Sequence, residues 1–430
     1  MESTFVKHFG ADLHSDSDSQ ESTWMSDRRR AMETFESTGF PKRRSESYKY
    51  TPISKRLERL IEKGDLASTG SDLTESHTAF QDVDGIHVST RNGLLSSQGA
   101  IKSLPEGLTI GSLADVHSND PDFLQSVLSS ALDFDRDPFS TLAAASASDG
   151  IVFHVRAGAQ IDLPVVIHHD EVDSSGFVQP RLLIVVDPNA SLNVIEHFGD
   201  SATAPAFENR VTEVVISKGA KADHVVVYER HLEATFVNGL HVYQADDSYF
   251  STNTITLGGG MVRNNLHFLP DGEECETHLN GLYIARGSMH IDNHTLVDHA
   301  KPNCVSNELF KGIVTDSATG VFNGKVLVRQ DAQKINAYQT SKSIVLDRNA
   351  SIYAKPELEI YADDVKCSHG ATTGELDEEA IFYLRARGLS LESARMLLLE
   401  AFARDVVDLI DNGQVRDYLY SRLHDVLKGR

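Results

Sequence analysis

The spacing of apolar positions changes its rhythm along the chain. Between about Asp18 and Ala67, the runs "STWMSDRRRAMETFESTGF" and "SKRLERLIEKGDL" place apolar residues three and four apart, which predicts helices. Pro41 and the basic stretch "KRRSESYKYTP" separate them. A mixed region follows to about Gly150. Within it "DPDFLQSVLSSALD" predicts a further helix, with Asp120 as N-cap and Pro121 at the first helical position.

From about Ile151 to Thr372 the period shortens. Runs such as "GIVFHV", "RLLIVVD", "ADHVVVYE", "STNTITL", "HLNGLYIA", "GKVLVRQ" and "ELEIYA" are alternating or β-branched and read as short strands. Small-residue corners stand between them: "AGAQI", "PNASL", "KGAKA", "GSMHI", "DSATG", "QDAQK", "RNASI". Neighbouring corners recur about thirty residues apart, or about half that, as strand–corner–strand units of a stacked solenoid would. Each coil then pairs with the next, inward residues form a continuous core, and small residues let the backbone turn. A large β-sandwich or barrel is the alternative that also yields many short strands.

Helical spacing returns in "LDEEAIFYLRARG", "LSLESARMLLLEAFARDVVDLIDNG" and "QVRDYLYSRLHDVLKG". In the middle segment Ala394, Leu397, Leu398, Ala401, Phe402, Val406, Leu409 and Ile410 fall on one predicted stripe, with Ser390 as N-cap and Gly413 as the stop. Such a module either closes the end of the solenoid or docks a partner, and both readings stand. The expected division is residues 1–67, a helical region; 68–150, a mixed connection; 151–374, the β core; and 375–430, a helical domain.

Composition narrows the function. The 430 residues carry a formal net charge of −23. That excess opposes a nucleic-acid-binding face, which needs clustered Lys and Arg against phosphate. Cys275, Cys304 and Cys367 are too few and too scattered for a disulfide framework, and no C-x-x-C pair offers a zinc ribbon or ferredoxin-like site. The N-terminal stretch lacks the basic start and apolar core of a signal peptide, and no run of about eighteen apolar residues could span a membrane. The expectation is a cytoplasmic protein in a reducing compartment, binding neither membrane nor nucleic acid.

Two clusters bear on chemistry. "SMHIDNHTLVDH" places His290, Asp292 and His294 on alternate positions of one strand. This resembles a two-His-one-carboxylate iron site, yet three ligands on one straight strand splay apart; the alternative is a structural or solvated strand face. "HHD" at His168–Asp170 reads as ordinary surface at a strand end. "GVFNGK", Gly320–Lys325, lacks the spacing and the following helix of a phosphate loop. In "EIYADDVKCSHGATTG", Cys367 and His369 share a strand face, roughly 7 Å apart at about 3.4 Å of rise per residue. They are half a metal site, since a tetrahedral metal takes about four ligands. Either the remaining ligands come from another chain, or Cys367 is a small buried apolar residue and His369 an ordinary hydrogen-bonding one. Asp363 and Asp364 either orient His369 or form a plain turn.

Three long runs carry a resemblance. "KPELEIYADDVKCSHGATTGELDEEAIFYLRARGLS" (Lys355–Ser390), "LFKGIVTDSATGVFNGKVLVRQDAQKINAYQTSKSIVLDRNA" (Leu309–Ala350) and "FESTGFPKRRSESYKYTP" (Phe35–Pro52) resemble the SufB/SufD family of iron–sulfur cluster assembly scaffolds. The Cys-Ser-His-Gly run and the lack of a cysteine-rich N-terminal motif point to its SufD branch. The resemblance implies a right-handed parallel β-helix flanked by N- and C-terminal helical domains. It further implies a non-catalytic subunit that pairs with SufB through the β-helix, or with itself when isolated, and docks the SufC ATPase through its C-terminal helices. The cluster would be transient and shared with SufB. His369 matches the position proposed as a ligand, with Cys367 the weaker candidate. Arg385, Leu397, Leu398 and Phe402 are the expected SufC-facing residues.

Overall fold

The computed structural model describes residues 23–42, 45–62, 79–96, 104–147, 149–170, 177–199 and 207–428. The expected helical starts and ends at residues 18–22 and 63–67, and the boundary between 67 and 68, lie outside them. Among the described residues there are two sheets of ten strands each, parallel apart from antiparallel pairings among the first few strands, and from Arg181–Val186 onward successive strands alternate between them. One sheet ends on Val365–Gly374 and the other on Ser351–Ile360. Paired residues lie one coil apart in sequence: Tyr249 faces Glu276, Met261 faces His290, and Thr319 faces Ser351. The parallel solenoid expected from the corner spacing is therefore the fold, and the sandwich or barrel is not.

The corners explain the small residues between strands. Gly158, Asn189, Gly219, Asp247, Glu274, Asn303 and Lys334 all adopt positive φ at equivalent points of successive coils. Glycine, asparagine and aspartate reach that conformation at low cost. Their amides link the coils: Gly158 N–H donates to the Pro188 carbonyl, Asp247 to Glu273 and Asn303 to Gln333. Lys334 donates to the carbonyl of Asp364, where the ladder ends.

Inward residues build the long core, among them Val194, Phe250, Leu266, Leu279, Phe310 and Phe322. Buried polar groups interrupt it. Asn238 donates to Asn264 and Asn264 to Asn293 across three coils, at 3.4 and 2.8 Å. Glu196 binds Arg210, His169 and His224 inside the solenoid. His168 and His169 are each only 4 % exposed, so the expectation of ordinary surface there is corrected. Their strand is inserted between Ile86–Arg91 and Ser191–Phe198.

Both outer faces of the middle coils are covered. Phe35, Phe40, Tyr48, Ile53, Leu57 and Phe139 from the N-terminal segments pack on Phe207, Val237 and Met261 of one sheet. The C-terminal helices Leu391–Val407 and Gly413–Lys428 lie along the other sheet, on Val225, Val227, Ile255, Leu282, Ile284 and Ile313. They cover its flank rather than plugging the solenoid end. Arg422 and Tyr418 clamp the second of them to Glu229, with Arg422 Nε at 2.7 Å.

Candidate functional site

The strand Val365–Gly374 is hydrogen-bonded to a neighbour on one side only, with Cys367 opposite Ala337 and His369 opposite Gln339. Val365, Cys367 and His369 share the inward face through the two-residue repeat. Val365 and Cys367 pack against Ile335, Ala337, Cys304 and Val328 of preceding coils. Burial pushes the Cys367 thiol up, which disfavours the thiolate a metal requires. His369 is exposed, because no further coil covers the solenoid there.

Directly beneath His369 the ladder is polar. Gln339 is buried and its Nε2 donates to Glu308 Oε2 at 2.7 Å. Burial raises the Glu308 carboxyl to about 7, with the Thr295 and Gln339 bonds opposing the shift. Sequence reasoning missed this pair. Its signal was a Glu and a Gln at inward positions of "VSNELF" and "INAYQT", readable only once strand parity is known. Asp363 and Asp364 form the corner before the strand, where Asp364 N–H donates to Gln333 Oε1 at 2.9 Å and its carbonyl accepts from Lys334. That is the plain turn of the two readings.

Among the described residues no group of three or more His, Cys, Asp and Glu could hold a metal ion. Cys367 and His369 stand together on the last strand, at the open solenoid end. The richer cluster is closed. Asp292 Oδ2 accepts from both Arg263 Nη1 and Thr51 Oγ1, and Thr51 also bonds His290 Nε2 at 3.0 Å. Burial opposes charge on Asp292, yet the Arg263 guanidinium holds its carboxyl below the usual range. Burial, aided by Arg263, pushes His294 down to about 3. A guanidinium occupies the carboxylate that a metal would need, and the N-terminal segment is pinned across the face. This strand is a structural anchor, covered rather than solvated.

The helix Leu391–Val407 and the turn after it keep part of the predicted stripe, at Ala394, Val406 and Ile410, and depart from it elsewhere. Ala394, Leu399, Ala403, Val406, Val407 and Ile410 are buried, whereas Leu397 and Leu409 are 45 and 47 % exposed. Leu398 and Phe402 are half-buried, and Lys311 Nζ lies 4.3 Å over the Phe402 ring while donating to its carbonyl. The segment is apolar around most of its girth, so periodicity alone could not choose the stripe that meets the sheet. Arg385 is exposed in the last turn of Glu378–Ala386. With Leu397, the exposed Phe382, Tyr383 and Leu391 leave an apolar surface on the outer side of these helices.

Comparison with known proteins places this geometry. Residues 167–402 match the family described as SUF system FeS cluster assembly, SufBD core domain, and residues 1–167 match the SufBD protein N-terminal region. The iron–sulfur cluster assembly protein SufD of Escherichia coli is 29 % identical over 406 residues, covering 91 % of this chain and 90 % of its own. An iron–sulfur cluster assembly SufBD family protein of Synechocystis is 34 % identical over 317 residues, covering 71 and 70 %. The chloroplastic protein ABCI7 of Arabidopsis thaliana is 28 % identical over 409 residues, covering 92 and 85 %.

Proposed function

The chain belongs to the SufBD family of iron–sulfur cluster assembly proteins and is SufD-like, and we propose that it is a scaffold subunit without turnover of its own. In this reading residues 151–374 present the open final coil to a SufB counterpart. Residues 375–430 dock a SufC ATPase through the surface that includes Arg385, Leu397, Leu398 and Phe402. The described parts of residues 1–67 and 68–150 brace the solenoid. Pairing takes place in the cytoplasm, and no described helix is long and apolar enough to cross a membrane.

The observation that carries the reading is the uncovered end. Middle coils are paired above and below and covered outside, but Val365–Gly374 offers a row of unpaired backbone groups beside His369. A bare strand edge is a template for pairing with another chain, and natural proteins usually blunt it. The cluster is cargo here. His369 supplies one imidazole donor, Cys367 at most a second, and the partner supplies the rest. Mixed ligation of this kind suits a scaffold that must let its cluster go.

Co-expression with SufB and SufC counterparts, followed by size-exclusion chromatography, tests the assembly. One complex containing all three chains is expected. Leu397→Glu should release SufC while SufB stays. Failure of the wild-type chain to co-elute with SufB would overturn the pairing.

A further inference from the structure

Cys275 and Cys304 are the residues immediately before two strands that pair in register, Glu276 opposite Val305. They therefore stack on consecutive coils at the same corner, and Val305 N–H donates to the Cys275 carbonyl at 2.9 Å. Both sulfurs reach the same acceptor: each Sγ lies 3.2 Å from the Gly272 carbonyl oxygen. Adjacent strands run about 4.8 Å apart, inside the roughly 4.4–6.8 Å Cα range of a disulfide. The thiols are buried, but each lies behind one corner, and the corner residues Glu273, Glu274, Lys301 and Asn303 are exposed.

The two sulfurs are not equivalent. Hydrogen bonds from Cys304 first, then from Ser248, whose Oγ is 3.7 Å away, push the Cys275 thiol down. The same contact, with burial, pushes the Cys304 thiol up. Cys367 belongs to the same apolar corner but sits on the later strand, two residues in from its start, opposite Ala337.

We propose that Cys275 and Cys304 form a cross-coil dithiol, a modification site that closes to an intramolecular disulfide with a thiol-specific oxidant and leaves Cys367 out. With diamide, the Cys275 thiolate adds to the N=N bond. Cys304 sulfur then attacks Cys275 sulfur and expels the hydrazine, which keeps both thiol protons as the dithiol is oxidised.

The test treats the folded full-length chain with diamide, unfolds it, alkylates free thiols and maps the peptides. One label, on Cys367, should replace the three of the reduced chain, together with a Cys275–Cys304 cross-linked peptide that dithiothreitol releases. Cys304→Ser should lose the cross-link and take two labels. Cys367→Ser leaves the pair intact, and its oxidised form should take none, a readout that survives if the first variant misfolds. Three labels on the oxidised wild type, or a bond joining Cys367 or a second chain, would overturn the proposal.

Discussion

Two histidine-bearing strands of the same solenoid meet opposite fates. His290–His299 carries three ligand-type residues on alternate positions, and Val365–Gly374 carries only Cys367 and His369. By composition the first is the better metal site. In the folded chain Arg263 and Thr51 consume its carboxylate and the N-terminal segment covers it. The second has less to offer but nothing above it. Availability of a ligand is decided by what packs on the strand, and along a solenoid that differs between a middle coil and the last one.

The sharpest break of this contrast is Asp292→Ala. It strands a buried guanidinium, a change that costs about 3–5 kcal/mol, and it removes the acceptor of Thr51. Equilibrium unfolding should show the loss, and hydrogen exchange should rise over residues 45–57.

Acid should weaken the covered sheet next. His294 and the buried His241 titrate in the folded chain near 3 and 4, against about 6.5 when unfolded. Below that value the unfolded state takes up protons the folded state cannot, so stability climbs with pH there. The contribution is complete above about pH 6.5 and is lost as pH falls toward the folded values. Each group adds about 1.4 kcal/mol per pH unit in that window. A pH series of unfolding midpoints checks this, and His294→Gln should flatten the slope.

At the open end the same experiment should register almost nothing. His369→Ala touches an exposed side chain, so the unfolding free energy should shift by less than about 0.5 kcal/mol. Leu397→Glu on the outer helix face should be as quiet in stability and visible only in SufC retention.

Much of the fold was legible because it is periodic. Strand parity and the small or amide corner residues repeat once per coil, and the left-handed φ at Asn189, Gly219 and Asn303 is the physical cause of that repeat. N-caps were legible for the same local reason, since Asp120 accepts from Phe123 N–H and Ser390 from Ser393 N–H, but the expected stop at Gly413 was not: that helix ends at Val407 and Gly413 opens the next. What could not be read is tertiary. Which face of Leu391–Val407 meets the sheet depends on shape, not period. The burial of His168 and His169 depends on the Ile86–Arg91 strand joining from far upstream. The shared face of Cys367 and His369 followed from local geometry, whereas the Glu308–Gln339 pair beneath them is set by coil stacking.

The most direct test of the open-end account is anaerobic cluster reconstitution on the chain co-expressed with its SufB and SufC counterparts, wild type against His369→Ala. The account predicts equal assembly of the complex and lost or weakened cluster absorbance in the variant. Undiminished cluster formation in a fully assembled variant complex would contradict it, and would leave the final coil an architectural surface alone.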